Sequence, residues 1–224
     1  MSIKVLPPDL AAKIAAGEVV ERPASVVKEL VENSIDAGAS QITVEIKAGG
    51  VEQIKVIDDG HGIPKEEVAI AFQRHATSKL DNQEQLDAIA TLGFRGEALP
   101  SIAAVSRSVI TTRQPLDPGG YRLELLWGET VSSGAQGCPT GTAVEVSDLF
   151  GNLPARRKFL RSSSAETSRI QELVSRYALV FPGIRFQLLV DGRVSFTSPG
   201  NGLPREALLA VYGPQAATAM LEVH

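Results

Sequence analysis

The chain has 224 residues, with 22 Lys and Arg against 26 Asp and Glu for a formal net charge of −4, 43% hydrophobic residues and a mean hydropathy of +0.04. That composition excludes wholesale disorder, and the length exceeds one average domain of ~150 residues while falling short of two. No apolar run reaches the ~20 residues of a membrane span, Met1 to Pro8 lacks a signal peptide's apolar core, and Cys138 with three histidines supports neither a disulfide nor structural zinc, so a soluble, cytoplasmic protein is expected.

In chain order, Val27, Leu30, Val31 and Ile35 recur at helical spacing, and the pattern predicts a helix over Ala24 to Ala37, opened near Pro23 and stopped by Gly38. Ile42, Val44 and Ile46 alternate, Gly49-Gly50 turn the chain, and Ile54, Val56 and Ile57 follow: a hairpin whose second strand runs into Asp58-Asp59-Gly60-His61-Gly62. Pro64 with Glu66 and Glu67 opens a short helix through Phe72. Further helices are expected over Gln83 to Ala90 and Glu97 to Ala104, the latter starting close to Pro100. Strands are expected over Val105 to Thr112, Tyr121 to Trp127 and Thr142 to Val146, with the Gly- and Ser-rich stretch Gly128 to Gly141 as a loop. Lys158 to Leu160 and Ala165 to Val180 read as helical, and Ile184 to Val190 with Val194 to Thr197 as a last hairpin. Ser198 to Pro204 reads as a linker, with about 20 residues beyond it against the ~50 of a domain. Helices and strands come in clumps, which favours a layered α+β sandwich with a mixed sheet over a doubly wound fold.

Four segments carry candidate chemistry. Glu29, Asn33 and Asp36 share one polar stripe of the first helix. There a carboxylate can orient or deprotonate water, and an amide oxygen suits Mg²⁺; taken alone, a solvated helix face is the simpler account. Asp58 ends a strand and can accept from an exocyclic amine, while Gly60 and Gly62 let the main chain approach a flat ring; a tight turn is the alternative. Arg74 to Lys79 and Thr91 to Leu99 combine hydroxyls, cations and glycines before a helix start, where backbone N–H groups bind phosphate; together they read as a mobile lid. P-loop, dinucleotide-binding and nucleophile-elbow motifs are all absent.

These segments in this order resemble the GHKL ATPase family, which joins DNA gyrase B subunits, heat-shock chaperones, sensor histidine kinases and, most similar here, the MutL family of DNA mismatch-repair proteins. Ile14 to Pro23, Val27 to Ala39, Arg74 to Lys79, Gly93 to Leu99 and Pro154 to Leu160 carry the resemblance, which extends over residues 1 to 200. It implies a Bergerat-type ATP-binding fold: a two-layer α+β sandwich whose mixed, largely antiparallel sheet is covered by helices on one face. It implies ATP and Mg²⁺, with Glu29 as the general base, Asn33 as the metal ligand, and Asp58, Gly60, Gly62, Ile63 and Thr142 around the adenine. Ala76, Thr77, Ser78 and Lys79, with Leu92, Gly93, Phe94, Arg95, Gly96, Glu97, Ala98 and Leu99, would close over the phosphates. The implied partners are a second copy in an ATP-dependent homodimer, reached by an arm such as Leu10 to Val20, DNA, and mismatch-recognition and other repair proteins. A pI near 5.5 argues against a general nucleic-acid coat, but Arg156, Arg157, Lys158 and Arg161 form one basic run that either meets DNA or is a solvated face.

The expected domains are an ATP-binding unit over residues 1 to 200, with residues 1 to 20 as its arm, and a linker plus the start of a second unit over 201 to 224. The family's second domain supplies a lysine to the γ-phosphate, so hydrolysis by these 224 residues alone is expected to be impaired. A sister ATPase of the same fold, such as a topoisomerase subunit or chaperone, and a scaffold that keeps the fold without turnover are the alternatives.

Overall fold

A computed structural model describes residues 16–77, 92–93 and 96–219. The elements in chain order are helix α1 (Pro23–Asp36), strands β1 (Gln41–Lys47) and β2 (Gln53–Asp58), helices α2 (Lys65–Val68) and α3 (Ala98–Ala104), and strands β3 (Arg107–Arg113), β4 (Gly120–Leu126), β5 (Glu129–Gln136) and β6 (Gly141–Ser147). Helices α4 (Pro154–Arg157) and α5 (Ser163–Val180), strands β7 (Arg185–Val190) and β8 (Arg193–Thr197), and helix α6 (Pro204–Ala219) complete the chain.

The strands form one sheet in the order β5-β4-β3-β6-β2-β1-β7-β8, antiparallel throughout except for the β1–β7 pair. A period-two burial pattern tells which face is covered: Ile42, Val44 and Ile46 on β1, Ile54 and Val56 on β2, Ile110 on β3, Val144 and Val146 on β6, and Phe186 and Leu188 on β7 are all buried. Against that face lie Val26, Val27, Leu30 and Val31 of α1 and Ile170, Val174 and Ala178 of α5. This is the helix-covered, largely antiparallel sandwich that the resemblance implies.

Two expected elements differ. The Gly- and Ser-rich stretch expected as a loop contains β5, an edge strand paired to β4 from Gly120↔Gln136 to Leu126↔Glu129. Seven of its eight residues are exposed, so it has no buried face to impose hydrophobic alternation, and the main-chain ladder alone makes it a strand. The helix expected over Lys158 to Leu160 lies earlier, over α4, because Pro154 takes a first-turn position where its missing N–H costs nothing, and Lys158 already caps the turn. The helix expected over Gln83 to Ala90 lies outside the described residues. The stretch expected as a linker is tied down at its start: the Ser198 hydroxyl accepts from Phe186 N–H at 2.9 Å, and Gly202 N–H donates to Pro182 O at 3.0 Å.

At the β5 end of the sheet, Glu124 binds two arginines. It accepts from Arg122 Nη2 at 2.7 Å, from Arg107 Nε at 2.9 Å and Arg107 Nη2, and from Ser132 Oγ at 3.2 Å. The bonds from Arg122 and then Arg107 hold its carboxyl at about 2, below the usual carboxylate range. A depressed carboxylate stabilises the fold above its unfolded value near ~4.3, and that contribution is lost as the pH falls toward 2. The urea midpoint of Glu124→Gln should therefore lie below that of the parent protein at pH 6, with the gap closing steadily between pH ~4.3 and ~2.5. A gap that is the same at both ends of that range would remove the pair's role in stability.

Candidate functional site

Between α1, the ends of the central strands and the segments around residues 75 and 96 opens a cleft of about 1540 Å³, measured among the described residues. Its floor follows from strand order. β2, β6 and β3 are neighbours, and their registers pair Asp58 with Thr142 and Thr142 with Thr112, so three polar residues lie in one row on the helix-covered face.

Asp58 is 9% exposed and held on three sides. Ser34 Oγ of α1 donates to its Oδ2 at 2.8 Å, while the N–H groups of Gly60 and Thr142 donate to Oδ1 at 3.0 and 3.2 Å. Burial pushes its carboxyl above the ordinary aspartate range, and the bonds from Ser34, Gly60 and Thr142 pull the other way. Gly62 has φ +71°, and a Cβ there would collide with Arg113 O, so only glycine lets the loop after β2 fold down beside the strand ends.

Helix α1 supplies one wall. Glu29 and Asn33, four residues apart, both line the cleft, as does Asp36. Two glutamates on this helix have different surroundings. Glu32 is 7% exposed; its Oε1 accepts from Tyr177 O–H of α5 at 2.6 Å and its Oε2 from Lys28 Nζ at 2.7 Å. Burial, followed by that bond to Glu32, drives the Tyr177 hydroxyl well above its ordinary value. Glu29 has a side chain 25% exposed, and its Oε1 accepts from Lys28 Nζ at 3.2 Å. Burial acts to lower the Lys28 ammonium, but the hydrogen bond and charge of Glu32 and the charge of Glu29 outweigh it and leave it raised.

The opposite rim joins the two glycine-containing segments. His75 N–H donates to Gly96 O at 3.1 Å, and Gly96, at φ +60°, leaves no room for a side chain because a Cβ would stand 2.5 Å from Ala76 O. Asp36 accepts from the N–H groups of Leu92 and Gly93 at 3.0 and 3.2 Å, tying this rim to the end of α1. A buried amine-sized acceptor at the floor, a carboxylate and an amide on one wall, and main-chain-rich segments on the other are together suited to a base at one end of a ligand and phosphates at the other.

The comparisons with known proteins bear on this geometry. Residues 21–126 match the family described as histidine kinase-, DNA gyrase B-, and HSP90-like ATPase. The solved structure of the Aquifex aeolicus MutL ATPase domain complexed with ADP is 34% identical, with a TM-score of 0.69 over 87% of this chain and 70% of that one. The chain belongs to the MutL ATPase-domain family. DNA mismatch repair protein MutL from Pelotomaculum thermopropionicum is 53% identical over 222 residues, 99% of this chain and 37% of that protein. MutL from Desulforamulus reducens is 50% identical over 222 residues, 99% of this chain and 35% of that protein. The chain thus spans little more than a third of the length of these curated relatives.

Of the residues expected at the site, Glu29, Asn33, Asp58, Gly62, Ile63 and Thr142 line the one cleft, and so do Ala76, Thr77, Leu92, Gly93 and Gly96 to Leu99. Gly60 is buried behind it, its N–H on Asp58. Ser78, Lys79, Phe94 and Arg95 lie outside the described residues. The basic run stands elsewhere and divides: the Arg156 guanidinium donates to Gly17 O and lies 5.5 Å from the Phe150 ring centre, while Arg157, paired with Asp148 at 3.0 Å, Lys158 and Arg161 are exposed. Of the expected arm, Ala16 and Val20 are fully buried in the chain's own core.

Sequence reasoning passed over Ser34 and Thr112, and named Asp36 without a role. Ser34 sits at an apolar-stripe position of α1, and Thr112 takes the inward place after Ser108 and Ile110 on β3; a polar residue in a core register was the available signal.

Proposed function

We propose that this chain binds ATP in the cleft and hydrolyses it with Mg²⁺, as the ATP-driven part of a DNA mismatch-repair protein. The observation that carries the reading is the convergence on one cleft of a buried strand-end aspartate and of Glu29 and Asn33 on the helix facing it. Asp58 accepts the exocyclic amine of the base, and Ile63, Gly62 and Thr142 shape the pocket around the ring. Glu29 holds a water in line with the terminal phosphate and accepts its proton. Thr77 and the main chain at Gly93 and Gly96 to Leu99 cover the phosphates, joined by Ser78, Lys79, Phe94 and Arg95.

The donor set fits Mg²⁺. Among the described residues no group of three His, Cys, Asp or Glu is arranged to hold a metal, which suits an ion that keeps waters and phosphate oxygens and takes only one or two protein ligands; Asn33 Oδ1 would be the first of them. When bound, the ion neutralises charge on the phosphates.

The resemblance and the longer relatives support the further reading that residues 1–200 are the nucleotide-binding unit and 201–224 the start of a following one, which would supply a γ-phosphate lysine. Hydrolysis by these 224 residues alone should then be slow while binding is retained. Dimerisation in the ATP-bound state would use the part of the arm that precedes Ala16, since residues 16 and 20 are committed to the chain's own core. DNA contact would fall to Arg157, Lys158 and Arg161, the members of the basic run that face solvent.

Titration calorimetry with a non-hydrolysable ATP analogue tests the core of this proposal. Saturable one-to-one binding that weakens several-fold on chelation of Mg²⁺ is the expected result; no heat of binding at millimolar analogue would overturn it.

A further inference from the structure

The ammonium of Lys28 stands between the two glutamates of α1, where the helix lines the cleft. It donates to Glu32 Oε2 at 2.7 Å and to Glu29 Oε1 at 3.2 Å. The first contact is the ordinary pairing of residues four apart on a helix, which lie one above the other. The second is not: consecutive residues point about 100° apart around the axis, so helix geometry alone does not bring Lys28 to Glu29.

What brings them together is the anchorage of Glu32. That residue is 7% exposed, and its other oxygen accepts from Tyr177 O–H of α5 at 2.6 Å. A buried carboxylate fixed from a neighbouring helix therefore fixes the ammonium, and the ammonium reaches Glu29. The side chains grow more exposed along this path, from 10% at Glu32 to 46% at Lys28 and 25% at Glu29, so the anchor lies inside and the held group at the cleft.

Glu29 has two oxygens, and Lys28 takes one of them. Oε2 is left to accept from a water. A glutamate facing a row of phosphates is pushed away by their charge, and its side chain has rotamers enough to leave. A cation on Oε1 opposes both effects, because it holds the carboxylate in one orientation and offsets the repulsion.

We propose that Lys28 is the positioning residue of the general base: held by Glu32, it pins Glu29 Oε1 and so aims Oε2 at the water in line with the terminal phosphate. The inference rests on the reading of Glu29 as that base and deepens it. Lys28 touches neither nucleotide nor water. It acts through Glu29.

The test is steady-state ATP hydrolysis by the full-length protein, with rates taken per ADP-binding site counted by calorimetry, so that loss of folded protein does not enter. Lys28→Met keeps the aliphatic stem and removes the charge; its kcat should fall about tenfold, with KM and ADP affinity within about twofold of the parent. Lys28→Arg, whose guanidinium can meet both carboxylates, should restore most of the rate. Lys28→Gln, neutral but still a donor, should fall between and serves if the methionine variant does not fold. A parent-like kcat per site in the neutral variants, a loss confined to KM, or an arginine variant as slow as the methionine one would overturn the proposal. Glu29→Ala separates the two readings. If it is inactive while Lys28→Met turns over at the parent rate, only the role of Lys28 falls; if Glu29→Ala itself keeps the parent rate, the general-base reading falls with it.

Discussion

Replacing Glu29 with alanine should stop turnover while leaving nucleotide binding nearly intact. The helix carries two candidates for a base, three residues apart, and their environments separate them. Both oxygens of Glu32 are engaged, by Tyr177 O–H at 2.6 Å and Lys28 Nζ at 2.7 Å, in a contact that fastens α1 to α5. Glu29 keeps a partly exposed carboxylate in the cleft. Loss of a positioned general base costs roughly 100- to 10,000-fold in rate, so kcat of Glu29→Ala, measured in the full-length protein, should fall by that order with KM changed little. Glu32→Gln should act differently, lowering thermal stability through the lost charge at Tyr177 and Lys28. A Glu29→Ala protein that hydrolyses ATP at the parent rate, or a Glu32→Gln protein that binds but does not turn over, would move the role to Glu32.

The second large effect is expected at Asp58. Alanine there removes the acceptor for the amine and leaves the Ser34 hydroxyl and the Gly60 and Thr142 N–H groups without their partner. Bonds to a charged group are worth about 1.5–3 kcal/mol, so ADP affinity should drop at least tenfold, with the Mg²⁺ requirement for phosphate binding retained. Asp58→Asn, which keeps an acceptor for the two N–H groups, should fold and still bind poorly. The direction of the pH dependence follows from burial, which raises the Asp58 carboxyl above the ordinary aspartate range. The unliganded fold gains from a neutral Asp58 at low pH and loses that gain as the pH rises through the raised value; nucleotide binding needs the carboxylate and runs the opposite way. ADP affinity should therefore fall on acidification at a higher pH than a solvated aspartate would give. Binding that is insensitive to both substitutions would remove Asp58 from the base site.

How much of this is legible in the chain differs from element to element. The β1–β2 hairpin and α1 were readable because one face of each is buried: Ile42, Val44 and Ile46, or Val27, Leu30 and Val31, state their period directly. The edge strand β5 was not, since a strand exposed on both faces carries no such period. The α4 turn was displaced because proline position, and not apolar spacing, decides where a four-residue helix begins.

By itself the sequence determined the class of fold, the helix stripe carrying Glu29 and Asn33, and the strand end carrying Asp58, because each depends on residues within a turn or a pleat of one another. Only the tertiary structure decided which glutamate of α1 is left open to the cleft, that Asp36 ties the rim at Leu92 and Gly93, and that Thr112 joins Ile63 to Thr142. Those contacts run between residues 30 to 145 positions apart in sequence, where strand order and helix packing choose the neighbour. No local periodicity encodes that choice.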